Sequence, residues 1–339
     1  MISTFLLVFG WTSIGFPQTP YYQGKTITIV TGSLAGELYD LYARMLAAHI
    51  ARHIPGNPNV IVQNMPGAGH IVAANYVYAV AKPDGLTLLA AQPNLYIDQL
   101  IGRSEIKFDW AKFAWIGNAS RTADLLYVRS DSPYKTIDDV QSAKEAPKCG
   151  ATGTGTTGYM VPKLLEETIG AKFNVITGYK GGSETDLAVE RGEVQCRAFS
   201  LAAFFGREPY HTWRKTGFVR VLVQLGRNRD GRLAEVPTLN ELMDKYKTPD
   251  PGRRVATIVT ASEIFQRPYM GSPGMRPEHL KIIREAFQKT MNDSKFLEEV
   301  KSKKLDIEAT PGDEMETLAK EVMSQRPEIV ERLKKVLGH

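Results

Sequence analysis

Short apolar runs alternate along the chain with segments whose apolar residues recur at helical spacing. Near the N-terminus, the runs at 25–30, 60–62 and 86–90 predict strands. Between the first two, apolar positions repeat at helical intervals from Leu38 to His49 and predict an amphipathic helix. Short joints rich in glycine and proline separate these elements. Strands and helices in alternation are typical of an α/β architecture with parallel strands.

The same alternation restarts in the middle of the chain. Further strands are predicted at 125–128, 148–151, 173–177, 194–199 and 219–225. The sequences Thr136-x-x-Asp139 and Ser183-x-x-Asp186 are typical of capping boxes that open helices. Helices are predicted in the last third at 277–291, 293–303 and 312–337.

The length of the chain indicates how many domains it can form, and the distribution of its charge indicates which classes of partner it can bind. A chain of 339 residues is long enough for two domains with separate cores. Because the alternation restarts near residue 122, we predict one lobe from 21–121 plus 229–339 and another from 122–228. The formal charge of +5 arises from 42 Lys and Arg against 37 Asp and Glu, spread along the chain. A nucleic-acid-binding protein concentrates its basic residues in a patch or stripe, so we expect no nucleic-acid partner.

Residues 1–20 begin with an apolar segment that is too short for a membrane span and has the length of the apolar region of a secretory signal. No Lys or Arg precedes this segment and no clear small-x-small cleavage site follows it, so a disordered tail or an apolar strand stays open as an alternative. We expect export to the periplasm. Cys149 and Cys196 either pair in that oxidising compartment or remain two buried thiols.

The segment 151–158, Ala-Thr-Gly-Thr-Gly-Thr-Thr-Gly, lies between a predicted strand and a predicted helix. Its glycines let backbone N–H groups approach a ligand closely, and its threonines add hydroxyl donors. The helix start that follows adds oriented N–H groups with partial positive charge. This segment, which we call the Gly/Thr loop, therefore predicts a site for an anion, either a phosphate or a carboxylate.

Other chemistries find little support in the sequence. The Gly/Thr loop matches the dinucleotide pattern Gly-x-Gly-x-x-Gly, but the acidic residue expected about 20 positions later is absent. Tyr159 and Met160 stand where a P-loop has Lys and Ser/Thr. His49 and His53 share a helix face without a third zinc ligand, and the Gly-x-Ser-x-Gly nucleophile elbow does not occur. The sequence thus predicts neither an enzyme nor a bound cofactor or metal.

Glycine- and proline-bearing motifs follow one another at 30–40, 62–69, 83–89, 151–158, 178–182, 192–194, 236–239 and 273–275. The second reads Val-Gln-Asn-Met-Pro-Gly-Ala-Gly. In this order the motifs resemble those of Bug-type receptors, the periplasmic solute-binding proteins of tripartite tricarboxylate transporters. Single motifs are weak signals, but their shared order over most of the chain is specific.

The resemblance implies a type II-like, two-lobed periplasmic binding protein. Each lobe would be a mostly parallel sheet flanked by helices, hinge strands would join the lobes, and a small carboxylate would be clamped between them. One wall would be the loop that ends at Asp40, and the other would be the Gly/Thr loop. The candidate ligand-binding residues are Ser33, Leu34, Ala35, Gly36, Glu37, Asp40, Gln92, Asn94, Thr152, Thr154, Gly155, Thr156, Thr157, Tyr179, Arg197 and Phe199.

Several of these candidates have alternative interpretations. Glu37 stands where glycine is common in the family, and its carboxylate repels an anion unless it points to solvent or meets a cationic group. Phe199 stands where many relatives carry an Asp that reads an amine, and it offers only apolar surface. Arg197 either pairs with a second ligand carboxylate or forms an ordinary salt bridge. Gln92 and Asn94 are polar contacts or simply turn residues. With these changes the ligand need not be the usual dicarboxylate.

We therefore expect a monomeric, exported receptor, without catalytic activity or cofactor, that delivers a small carboxylated metabolite to membrane transporter subunits. Two alternatives stay open. One is a receptor of the same fold whose partner is a membrane sensor. The other is a two-lobed nucleotide-dependent enzyme, against which the missing P-loop lysine, ribose-binding acid and nucleophile all count.

Overall fold

The structure of the protein is a computed structural model, and it describes residues 19–338. The apolar segment proposed as an export signal lies almost entirely outside these residues. The strands are β1 (Thr26–Thr31), β2 (Asn59–Asn64), β3 (Thr87–Ala90), β4 (Ala114–Asn118), β5 (Asp124–Arg129), β6 (Lys148–Gly150), β7 (Asn174–Ile176), β8 (Cys196–Ser200), β9 (Val219–Gln224), β10 (Pro268–Gly271) and β11 (Thr310–Pro311). The α-helices are α1 (Leu38–Ile50), α2 (Ile71–Ala79), α3 (Leu95–Leu100), α4 (Ile137–Ser142), α5 (Thr157–Ile169), α6 (Gly182–Glu190), α7 (Leu201–Gly206), α8 (Tyr210–Thr216), α9 (Leu239–Lys245), α10 (Asp250–Thr260), α11 (Pro277–Met291), α12 (Ser294–Ser302), α13 (Gly312–Met323) and α14 (Pro327–Leu337).

The strands form two mixed sheets. The first has six strands in the order β11-β4-β10-β3-β1-β2, and the second has five in the order β7-β6-β8-β5-β9. In the first sheet β1 runs parallel to β2 and β3, whereas β10 runs antiparallel to both β3 and β4. The predicted two-lobed α/β fold is confirmed, but its sheets are mixed rather than mostly parallel.

The antiparallel strands of the first sheet lie where the chain passes between the sheets. β4 leads directly to β5 in the second sheet, and β10 brings the chain back between β3 and β4. A parallel neighbour requires a crossover connection that returns to the same end of the sheet, and a strand arriving from the other sheet has none. β4 and β10 were not predicted from the sequence, because both are short and contain glycine or proline, which are typical of turns.

Of the two capping boxes predicted from the sequence, the one at Thr136 is present and the one at Ser183 is not. Thr136 caps α4, since its hydroxyl accepts from the Asp139 N–H at 3.3 Å and the Asp139 carboxylate accepts from the Thr136 N–H at 2.8 Å. The capping box predicted at Ser183 is wrong, because α6 begins after Gly181 and Asp186 lies buried within the helix. None of the helices within residues 19–338 has the length and apolar composition needed to cross a bilayer.

Helices from the last third of the chain pack on both sheets. The single helix predicted at 312–337 is wrong: it is two helices, α13 and α14, because a proline at position 327 disfavours helical geometry in the residue before it. α10 and α14 pack against α5, and the Tyr159 hydroxyl donates to the Leu337 carbonyl at 3.1 Å. Helix α13 instead packs against β4 of the first sheet.

A disulfide joins Cys149 to Cys196 and ties the neighbouring strands β6 and β8 together. Of the two alternatives for these cysteines, the structure therefore has the pair. Both residues are fully buried. Since the Gly/Thr loop begins two residues after Cys149, the bond anchors the strand from which that loop starts.

Candidate ligand-binding cleft

A cleft of about 500 Å³ lies between the two sheets, at the carboxyl ends of several strands. Four helices begin on its walls, α1 and α2 beside the first sheet and α5 and α6 beside the second. Helix starts present unpaired N–H groups and a partial positive charge. This arrangement favours an anion in the cleft.

The Gly/Thr loop forms one wall, and its hydroxyls divide into two groups. Thr156 Oγ1 donates to the backbone of the loop itself at 2.7 Å, and Thr157 Oγ1 accepts from Asn94 Nδ2 at 3.3 Å. Thr152 and Thr154 also line the cleft, and their hydroxyls make no hydrogen bond within residues 19–338. Two of the four hydroxyls thus shape the loop, and two are available to a ligand.

Residues that follow β3 hold the Gly/Thr loop from the opposite side. Gln92 Nε2 donates to the carbonyls of Gly69 at 2.8 Å and Gly155 at 3.2 Å, so one amide joins the two walls. At Gly155 an added Cβ would lie 2.7 Å from the Asp98 carboxylate and 3.1 Å from the Arg103 guanidinium. The close approach of the two walls therefore requires glycine at this position.

Four candidate residues do not line the cleft, namely Ala35, Gly36, Asp40 and Asn94. The Asp40 carboxylate accepts from the Gly36 N–H at 2.8 Å and from Arg44 Nε at 2.9 Å. Burial acts to raise the pKa of Asp40, but these hydrogen bonds hold it below its usual value. Asp40 thus fixes the shape of the loop before α1, and Asn94 supports the Gly/Thr loop from behind.

The remaining candidates do line the cleft. They are Ser33, Leu34, Glu37, Gln92, Thr152, Thr154, Gly155, Thr156, Thr157, Tyr179, Arg197 and Phe199. Glu37 reaches the far wall, where its Oε1 lies 3.4 Å from the hydroxyl and 3.5 Å from the N–H of Ser183, at the start of α6. Its carboxylate therefore lies against the positive end of a helix. This environment is neither of the two that the sequence left open for Glu37, which were solvent and a cationic group.

Arg197 belongs to an internal network. It is buried, and its Nη1 donates to the Asp186 carboxylate, to the Gly182 carbonyl at 2.9 Å and to the Tyr210 hydroxyl at 2.8 Å. Burial acts to lower the pKa of Arg197, and the neighbouring Asp186 raises it above its usual value. Of its two predicted roles, the structure has the salt bridge. Phe199 packs against the Tyr210 ring at 4.5 Å between centroids and forms an apolar part of the wall.

The floor of the cleft consists of residues that the sequence analysis missed. Asp124, at the start of β5, and Gln266 and Arg267, before β10, line the cleft and are each more than nine-tenths buried. Among the residues that the structure describes, one polar atom of each has no hydrogen-bond partner: Asp124 Oδ1, Gln266 Nε2 and Arg267 Nε. No local motif marks them, because two strands from distant parts of the chain bring them together.

A second missed element is the segment 66–70, which follows β2 and lines the cleft. It belongs to one of the motifs that carry the family resemblance, so that motif was the signal for it. His70 has a positive φ of 74°, and the backbone of Gly32 packs so closely on it that an added Cβ would lie 2.5 Å from the His70 Cα. This packing places the imidazole beside the cleft floor.

Burial shifts the ionisation of the floor. It raises the pKa of Asp124 to about 7, although Arg267 acts in the opposite direction. Burial also lowers the pKa of His70 to about 4, with a further contribution from Arg267. At neutral pH His70 is therefore uncharged, and Asp124 lies near the midpoint of its titration.

The charged side chains around the cleft are mostly basic. The cationic ones are Arg103, Lys180, Arg197, Arg207 and Arg267, and the carboxylates are Glu37 and Asp124. No group of His, Cys, Asp and Glu suited to a metal ion occurs within residues 19–338. Arg103, Arg197 and Arg207 are paired with carboxylates of the protein. A two-lobed α/β protein with a polar cleft between its lobes, lined by helix starts, has the architecture of a solute-binding receptor that closes around its ligand.

The chain belongs to the TctC family, the receptors of tripartite tricarboxylate transporters, whose pattern matches residues 42–334. The UPF0065 protein in the gbd 5′ region of Cupriavidus necator is 30% identical over 323 residues, which cover 94% of this chain and 88% of that protein. Membership makes the chain a solute receptor and not an enzyme. It confirms the resemblance seen in the sequence.

Solved structures of similar proteins share the fold. The periplasmic binding protein BugD has a TM-score of 0.71 at 18% identity, over 95% of this chain and 98% of its own. MatC of Rhodopseudomonas palustris, solved with bound malate, has a TM-score of 0.68 at 20% identity, over 92% and 99%. At such identities the likeness shows the architecture alone.

Proposed function

We propose that this receptor captures a small carboxylated metabolite in the cleft and delivers it to the membrane subunits of a tripartite transporter. The observation that carries the proposal is that four helix starts and a loop with two free hydroxyls line the same cleft. Each hydrogen bond to a carboxylate from such donors contributes about 1.5–3 kcal/mol. The malate bound by MatC is a ligand of this chemical kind.

In this proposal the Gly/Thr loop holds the ligand carboxylate, through Thr152, Thr154 and the N–H groups at the start of α5. The loop at Ser33 to Glu37 closes on the ligand from the other side. Glu37 is bonded to the far wall rather than directed at the Gly/Thr loop, which reduces its repulsion of an anion bound there.

Capture requires the two lobes to move about a hinge. We propose that 21–121 and most of 229–339 form the first lobe. The second lobe is then 122–228 together with α10 and α14, which pack against its helix α5. The bonds from Gln92 to Gly155 and from Ser183 to Glu37 cross the cleft. These contacts are the ones that closure makes and opening breaks.

We propose that the receptor works as a monomer in the periplasm. The cleft is complete within one chain, so ligand capture needs no second copy. The Cys149–Cys196 disulfide supports an oxidising compartment, because disulfides persist there and are rare in the cytosol. The apolar segment within 1–20 would be the export signal.

Calorimetry of the purified protein tests the proposal. The panel contains butyrate, succinate, malate, adipate and the neutral succinamide, with ATP as the probe for the nucleotide alternative. We expect at least one acid to bind with micromolar Kd and without turnover, and succinamide and ATP not to bind. If ATP binds and no acid does, the proposal is wrong.

A pair of variants tests the loop. Thr154→Val removes one free hydroxyl donor at nearly constant volume, so the affinity for the best acid should fall about tenfold. Thr317→Val, an exposed hydroxyl on α13, should leave it unchanged. Equal affinities in the two variants would mean that Thr154 does not contact the ligand.

A further inference from the structure

A groove of about 860 Å³ lies beside β9, a strand at the edge of the second sheet. It is lined by residues 219–222 of β9, by residues of α4, α7 and α8, and by residues of the segment 229–245. We call it the β9 groove. It shares no lining residue with the ligand-binding cleft, so it is a separate concavity.

β9 has an open edge along this groove. Within residues 19–338 its neighbour in the sheet is β5, on one side alone. The Ser130 N–H, just after β5, donates to the Phe218 carbonyl at 2.9 Å. Alternate residues of an antiparallel strand direct their backbone groups to the same neighbour. The backbone groups of Val219 and Val221 therefore point away from β5.

Another segment of the chain already pairs with the far end of β9. The Gln224 N–H donates to the Pro237 carbonyl at 3.1 Å, and Gln224 forms a parallel bridge with Thr238. Within residues 19–338 no backbone hydrogen bond joins 219–222 to any segment except β5. An unpaired strand edge is a template for an extended chain that adds as a further strand. The groove is therefore suited to an extended peptide rather than to a flat surface.

The cationic side chains that line the β9 groove outnumber its carboxylates. The cations are Lys135, Arg214, Arg220, Arg229, Arg232 and Lys245, and the carboxylates are Asp138, Glu235 and Glu241. Arg229, Arg232 and Lys245 pair with carboxylates of the protein. The other cations form no ion pair within residues 19–338, and neither does Glu235. The unpaired charge of the groove is therefore net positive.

Arg214 is an unpaired cation next to a second guanidinium. Its Nη2 donates to the Phe205 carbonyl at 3.3 Å, and its Nε has no hydrogen-bond partner within the described part of the chain. The guanidinium carbons of Arg214 and Arg232 lie 4.5 Å and 4.1 Å from the centre of the Phe205 ring. Burial and the charge of Arg232 hold the pKa of Arg214 below its usual value. An acidic side chain that enters the groove offsets the repulsion between these two groups.

We propose that the β9 groove is a docking surface for an extended, acidic segment of a partner protein, which adds to β9 as a further strand. The backbone groups of Val219 and Val221 supply the pairing, and Lys135, Arg214 and Arg220 select acidic side chains. Because the groove and the cleft share no lining residue, the inference does not depend on which ligand the cleft binds.

Synthetic peptides test the inference with the full-length protein. Three peptides of about nine residues, the length of a strand, have valine alternating with glutamate, serine or lysine. By fluorescence anisotropy, the glutamate peptide should bind with micromolar Kd and about tenfold more tightly than the serine peptide. The lysine peptide should not bind. A glutamate peptide that binds no more tightly than the lysine peptide overturns the inference.

Backbone methylation separates strand addition from simple charge attraction. In an added strand, alternate residues pair with β9. N-methylation of one set of residues in the glutamate peptide, its valines or its glutamates, should therefore weaken binding about 30-fold or more, and methylation of the other set should weaken it far less. Equal affinities of the two methylated peptides and the unmethylated one contradict strand addition.

Variants of the groove test its charge in both directions. Arg214→Gln removes an unpaired cation, so the affinity for the glutamate peptide should fall about tenfold. Glu235→Lys adds a cation at an exposed position of the groove and should raise the affinity about threefold, a gain that a damaged fold cannot produce. Arg276→Gln, an exposed arginine ahead of α11, should leave the affinity unchanged. Groove variants that bind like the parent overturn the inference.

Vesicles test the other anionic partner, a lipid surface. In a flotation assay, vesicles of phosphatidylcholine and phosphatidylglycerol should not recover the protein at physiological salt, because a concave groove does not fit a flat bilayer. If the vesicles recover the parent but not Arg214→Gln, and the glutamate peptide does not bind, the groove is a membrane contact and the inference is wrong.

Discussion

The Gly/Thr loop and the cleft floor are two polar regions of one cleft, and they are built in opposite ways. The loop is a run of consecutive residues that offers neutral donors, namely backbone N–H groups and the hydroxyls of Thr152 and Thr154. The floor is a set of buried ionisable and amide groups, each with an unpartnered atom. Neutral donors can form hydrogen bonds to any carboxylate that fits between them. A buried charge, in contrast, is costly unless a group of opposite charge pairs with it. A molecule that enters the cleft therefore meets neutral donors at the loop and buried ionisable groups at the floor.

The same contrast separates the two buried arginines. Arg197 has an acidic partner within the protein, Asp186, and a hydroxyl and a carbonyl complete its contacts. Within the described part of the chain, the hydrogen-bond acceptors of Arg267 are all neutral. Burial of an arginine beside a cleft therefore does not by itself indicate ligand binding. What distinguishes the two residues is whether the protein already neutralises the charge.

The largest effect is expected from breaking the buried ion pair between Asp186 and Arg197. Asp186→Ala leaves Arg197 buried without its acidic partner, and breaking a buried pair in this way costs about 3–5 kcal/mol. Urea denaturation should show this loss of unfolding free energy without any ligand present. Asp244→Ala is the control, because its carboxylate is 74% exposed and pairs with Arg253 at the surface. A loss for Asp186→Ala no greater than that of the control would place Arg197 outside the structural core.

The next effect concerns the fit of the Gly/Thr loop against the first lobe. Gly155→Ala adds a Cβ 2.7 Å from the Asp98 carboxylate, whereas at Gly153 an added Cβ has no atom within 4 Å. Gly155→Ala should therefore displace the loop and weaken binding of the best carboxylate about tenfold or more. Gly153→Ala serves as the matched control and should bind within about twofold of the parent. Calorimetry that finds both variants equal to the parent would mean that the loop position does not govern affinity.

The sequence predicted the loop and not the floor for a physical reason. The loop is contiguous, so glycine, threonine and the following helix start appear together at 151–158. The floor forms only when β5 and β10 come together around the cleft, and Asp124, Gln266 and Arg267 have no shared local pattern. β10 itself was missed because Pro268 and Gly271 are typical of turns. The fold class was predictable because strand and helix periodicity is a local property repeated along the chain.

The roles of side chains whose contacts are distant in the sequence were the hardest to predict. Arg197 and Glu37 have clear chemistry in the sequence, but their directions depend on Asp186 and Ser183, which the fold places beside them. The capping box predicted at Ser183 failed for the same reason. Asp186 lies in the helix and serves a buried arginine on the neighbouring strand.

The smallest effect is expected from neutralising the acid of the floor. The pKa of Asp124 is raised by burial to about 7 in the folded protein, against about 3.8 for an ordinary Asp. The folded state therefore binds the proton more tightly than the unfolded state, and stability falls as pH rises between these two values. Asp124→Asn keeps the shape and removes the charge. Its melting temperature should exceed that of the parent by a few degrees at pH 8, and this difference should shrink as the pH is lowered to 5.

Comparing the parent with Asp124→Asn separates the ionisation of Asp124 from that of His70, which lies beside the floor. Because burial lowers the pKa of His70 from 6.5 to about 4, the folded protein loses stability as the pH falls below 6.5, and this loss is the same in the parent and in the variant. Differential scanning calorimetry of the pair without ligand thus reports Asp124 alone, and Asp313→Asn, an exposed carboxylate on α13, controls for the loss of a charge. A constant difference from pH 5 to 8 would mean that Asp124 ionises normally. In that case the floor would present a fixed negative charge beside Arg267 at every pH in this range.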